Sequence, residues 1–72
     1  MSNTLTNEEK LSVVNQHIKS VDFSIYGVEL DLIEENALSQ PNAEYVTSLN
    51  QRLSSLNAKK SALTTEAASL TE

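Results

Sequence analysis

The chain has 72 residues, with ten acidic side chains against five basic ones, one glycine, one proline and no cysteine. A chain this short is one domain at most, and folding buries only about 60% of the surface its unfolded form exposes. Without cysteine it has neither disulfides nor a Cys-based zinc site. Stability must come from helix packing and oligomerisation.

Composition also sorts the function classes. Residues 1–40 carry seven acidic side chains against Lys10 and Lys19, whereas charges cancel over residues 41–72. An acidic half-chain opposes binding to nucleic acid or to an anionic membrane surface, because both need clustered Lys and Arg. Residues 1–6 show neither a basic region nor an apolar run of the kind a secretion signal has. No stretch approaches the roughly 18 apolar residues of a membrane span. The expectation is a soluble, cytoplasmic protein.

In chain order, residues 1–5 are expected to be disordered. Thr6 followed by Glu9 then reads as a capping box, with Glu8 and Glu9 suited to the positive end of a helix dipole. A helix is expected over about 7–38, along which Leu11, Val14, Ile18, Val21, Ile25, Val28 and Leu32 recur three and four residues apart. That spacing makes a narrow apolar seam that another helix covers. Gly27 weakens the helix by about 1 kcal/mol relative to Ala. Pro41 lacks a backbone donor and disfavours helix at Gln40, so the turn falls over about 39–42. A second helix over about 42–70, capped by Asn42 or Ser39, resumes the seam with Val46, Leu49, Leu53, Leu56, Lys60, Leu63, Ala67 and Leu70. Its Ser-, Thr- and Ala-rich last turns are expected to fray.

If the chain folds back at Gln40-Pro41, facing seam residues have numbers with a constant sum. Leu32 and Leu49, Val28 and Leu53, Ile25 and Leu56, Ile18 and Leu63, Val14 and Ala67, and Leu11 and Leu70 all add to 81. Flanking pairs compatible with this register are Asp31 with Arg52, His17 with Glu66, and Leu38 with Tyr45. A single kinked helix would also keep the seam in phase, but it needs proline in its interior, at a cost of about 3 kcal/mol or more. The two shapes differ in length, about 50 Å for a hairpin against about 90 Å for the long helix. The reading is an all-α, two-helix antiparallel coiled-coil hairpin.

A second stripe, Phe23, Tyr26, Leu30, Ile33 and Ala37, runs along another face of the first helix, roughly 120–130° around it from the seam at about 100° per residue. A hairpin has no third element to cover it, and the outer faces of the second helix are small or polar. These five residues are the candidate interface, with a homodimer in which first helices pack into a four-helix bundle as the expected occupant. A groove or helix on another protein is the alternative.

Candidate chemistry is sparse. His17 is the single histidine and has no metal-ligand partner spacing around it. One glycine excludes a glycine-rich phosphate loop, and a two-helix hairpin offers little room for a serine triad. Glu29, Asp31, Glu34 and Glu35 lack the spacing and glycine of a calcium loop, and read as a solvated face. No catalytic, cofactor-binding or metal-binding residue is expected, and no cofactor. Lys60 falls in the seam opposite Val21, where its stem is expected to cover the valine while the ammonium reaches Asp22 or Ser24. The expected function is non-enzymatic: a self-associating assembly, scaffolding or adaptor subunit, or alternatively a small acidic inhibitor or regulator docking through the Phe23–Ala37 face.

Overall fold

The computed structural model describes residues 4–71. It contains two helices, α1 over Asn7–Asn36 and α2 over Ala43–Leu70, packed against each other as a hairpin. The hairpin measures 54 × 20 × 17 Å, which is the length of the folded-back chain and not of one continuous helix. Expected disorder in residues 1–5 falls largely on residues 1–3, which lie outside the described residues; Thr4 and Leu5 precede α1 without regular structure.

The start of α1 is set locally. The Glu9 N–H donates to Thr6 Oγ1 at 3.1 Å, and the Thr6 N–H donates to Glu9 Oε1 at 2.9 Å. Two donors that a helix N-terminus leaves open are thereby satisfied. The bond from the Thr6 backbone N–H foremost, and then the nearby Thr6 hydroxyl, hold the Glu9 carboxyl below the ordinary carboxylate pKa.

The end of α1 falls two residues before the expected Leu38. No glycine stands there to take the left-handed conformation that usually closes a helix, and no described residue has positive φ. The helix instead tightens: the Leu38 N–H bonds Glu35 O at 3.1 Å, an i→i−3 pattern. Asn42 caps α2, its Oδ1 accepting from the Tyr45 N–H at 3.0 Å, so the helix begins at Ala43 and Pro41 lies ahead of the cap. Glu35 spans the turn, with Oε2 accepting from the Asn42 N–H at 2.8 Å. A carboxylate placed there also suits the positive end of the α2 dipole.

The Ser- and Thr-rich end of α2 stays helical to Leu70. Thr64 and Thr65 turn their hydroxyls back on the carbonyls of Lys60 and Ser61, at 2.8 and 3.1 Å. Those bonds keep the hydroxyls within the helix, where Ser and Thr otherwise compete for the backbone.

Burial follows the seam closely. In α2 the eight seam residues are the ones not fully exposed, and in α1 all seven are likewise sheltered, joined at the edge by Lys10, Asp31 and Glu35. Yet Val28 and Leu49 alone are buried among the described residues. Two helices touch along one line, so most seam side chains keep one flank in water. Three separate places along the hairpin fix the register near 81: Lys60 against Asp22, Val28 and Asp31 lining one groove with Arg52 and Leu56, and Val14 lining another with Glu66.

Candidate functional site

The far side of α1 carries what the hairpin does not cover. Phe23 is 70% exposed, Tyr26 61%, Ile33 64% and Leu30 40%. Ala37, the last of the five, is the exposed C-cap of the helix. The structure thus places all five on one open face, with the bulk confined to the part of α1 nearest the turn.

The face lies further from α2 than the 120–130° expected from sequence. Phe23, Tyr26 and Leu30 each stand two positions before a seam residue, namely Ile25, Val28 and Leu32, and Ile33 stands two before Glu35, which continues the seam's spacing at its edge. Two residues at about 100° each rotate by about 200°, or about 160° the short way round. A value averaged along the helix is smaller because a seam repeating every 3.5 residues drifts by about 20° per heptad on a straight helix. Locally, the stripe is almost diametrically opposite α2.

Other exposed apolar side chains are Leu5, Val13, Leu38 and Tyr45. Leu38 and Tyr45 flank the turn, as the register expects, and both stay in solvent. Of the expected flanking charge pairs, Asp31 and Arg52 line a common groove without forming an ion pair, and the Glu66 carboxylate accepts from the Ser69 hydroxyl at 3.4 Å and makes no ion pair with His17. The one ion pair among the described residues joins Lys60 Nζ to Asp22 Oδ1.

No described residues form a group of three or more His, Cys, Asp or Glu able to hold a metal ion. A shallow groove of about 400 Å³ runs along one flank of α1 beside the stripe, lined by Asn15, Ile18, Lys19, Asp22, Phe23 and Tyr26. It brings together one cation, one carboxylate and two aromatic rings, without a nucleophile held by a base. Among the described residues no helix is long and apolar enough to cross a membrane. The chemistry this surface supports is the removal of apolar area from water. Comparison with known proteins gives no matching family model, no matching curated protein and no matching solved structure.

Proposed function

We propose that the protein is a non-enzymatic assembly or scaffolding subunit that associates with a second copy of itself through Phe23, Tyr26, Leu30, Ile33 and Ala37, joining four helices in a homodimer. The observation that carries this reading is an imbalance of burial. Among the described residues two are buried inside the hairpin, while four large apolar side chains stand open on a single face. A contiguous apolar patch of several hundred Å² is about the largest that a monomer ordinarily exposes, and patches of that size often serve interaction. A small domain with so little dry core also gains most from association. The polar outer surface of α2 limits that association to α1.

Light scattering tests the proposal. A mass near twice 7.9 kDa supports it, and the double substitution Leu30→Glu with Ile33→Glu then returns the chain to a monomer. A wild-type chain that remains monomeric overturns it, and leaves the stripe to a larger protein on which this chain docks as an acidic regulator.

A further inference from the structure

We infer that the two copies meet α1 to α1 in an antiparallel, staggered register that sets Phe23 against Ile33 and Tyr26 against Leu30 of the other copy. This inference rests on the self-association reading and specifies its geometry. Phe23, Tyr26, Leu30 and Ile33 alternate three and four apart, so an antiparallel partner pairs each with a residue whose number completes 56. Four apolar layers form in succession: Phe23 with Ile33, Tyr26 with Leu30, and the two symmetry-related pairs. One step further out, Lys19 meets Ala37, whose small side chain leaves room for the lysine stem.

Charge chooses the direction. Four of the chain's acidic residues, Glu29, Asp31, Glu34 and Glu35, lie in the turn-proximal quarter of α1. A parallel pairing superposes these segments and sets Glu29 beside Glu34 on both sides of the seam. An antiparallel pairing separates them along the axis, leaving Glu29 facing its own copy at the two-fold, and it also opposes the two helix dipoles.

Area supports a second copy as the occupant. Side chains of this size bury about 150–250 Å² each when fully covered, so the exposed parts of the four present on the order of 400 Å² per chain. Two such stripes make about 800 Å², and with their flanks, including the Lys19 stems laid over Ala37, they approach the size of a small, reversible interface, which lies below about 1,200 Å² in total. The match is self-limiting, since one stripe satisfies the other and α2 offers no further apolar face.

Two features of shape follow. Because the stripe stands about 160° from the seam, the helices lie nearly in line, α2–α1–α1–α2, and not at the right angles of the closed four-helix bundle expected from sequence. Because the stripe is centred level with residue 28 and not at the middle of α1, the copies are offset. Two hairpins of 54 Å then span about 70 Å end to end.

Thiol cross-linking decides the register, and the chain has no cysteine to interfere. Phe23→Cys and Ile33→Cys alter exposed positions, so circular dichroism of each variant stays that of the native hairpin. Mixed together under oxidation they form a covalent heterodimer, whereas each alone does not, since its thiols lie about 15 Å apart along the axis. Small-angle scattering of the native dimer gives a maximum dimension near 70 Å. A dimer that cross-links through Phe23→Cys alone is parallel and overturns the register, as does a dimer that forms no cross-link in the mixture. A chain that stays monomeric by light scattering instead removes the self-association on which the register rests.

Discussion

Lys60 sits in the α2 seam and closes a 2.8 Å ion pair with Asp22 of α1. Both side chains are nearly half exposed, at 43% and 46%. The position is otherwise reserved for apolar residues, so the lysine covers the edge of the seam with its stem and carries its charge out to solvent. An ion pair this exposed contributes about 0–1 kcal/mol. Its larger effect is on register, because Lys60 reaches Asp22 in only one alignment of the two helices.

Lys60→Leu is expected to raise the melting temperature. The lost pair is weak, whereas a leucine extends the apolar seam between Leu56 and Leu63. A gain of about 1 kcal/mol corresponds to a rise of about 4–8 °C for a domain of this size. Thermal unfolding followed by circular dichroism measures it, and a lower melting temperature would show that the ion pair outweighs seam burial.

Gly27→Ala is expected to stabilise the hairpin by about 0.5–1 kcal/mol. Gly27 lies inside α1 with negative φ, and a Cβ built there meets nothing within 4 Å. The methyl group therefore removes backbone freedom from the unfolded chain without a clash. Urea unfolding should show a higher midpoint at an unchanged slope.

Leu49→Ala should destabilise by about 2–5 kcal/mol, the range for emptying a core site. Leu49 is completely buried, and among the described residues Val28 is the one other buried side chain, so this single change empties a large share of the dry core. Loss of most helical signal at 25 °C is the expected result. Retention of the native melting curve would mean that the seam tolerates a cavity at its best-packed point.

Acid should weaken the start of α1 through Glu9. Its carboxyl has a lowered pKa in the folded chain because it accepts from the Thr6 N–H and lies near the Thr6 hydroxyl. A lowered folded value means that the stabilisation is present in full above the unfolded carboxylate pKa. It disappears as pH falls through the lower, folded value. Glu9→Gln should flatten that part of the acid-unfolding profile while leaving behaviour near neutral pH close to native. An unchanged acid limb in this variant would count against the box.

The seven-residue spacing was sufficient to name the apolar seam, and with Pro41 forcing a fold-back it also gave the antiparallel register, because a narrow apolar line on a helix is covered only by another helix. It was also sufficient for the Thr6–Glu9 box, whose partners are three residues apart and need no tertiary contact. The sequence pattern located the Phe23–Ala37 stripe as well, but not its bearing. An average over a drifting seam put it nearer to α2 than the local two-residue offset allows.

The details at the turn belonged to the tertiary structure. Glu35 looked like one more member of a solvated acidic cluster. Only the fold-back brings the N-terminus of α2 within reach of its carboxylate, seven residues away in sequence. The same holds for the charged flanks. Register makes Asp31 with Arg52 and Lys60 with Asp22 comparable candidates, yet only the second pair closes, since long exposed side chains settle by local geometry and solvation, not by spacing. What the sequence alone determined was which residues line the contact between the helices. Where α1 ends, what spans the turn and how far the open stripe faces from α2 were decided by the chain's actual path in three dimensions.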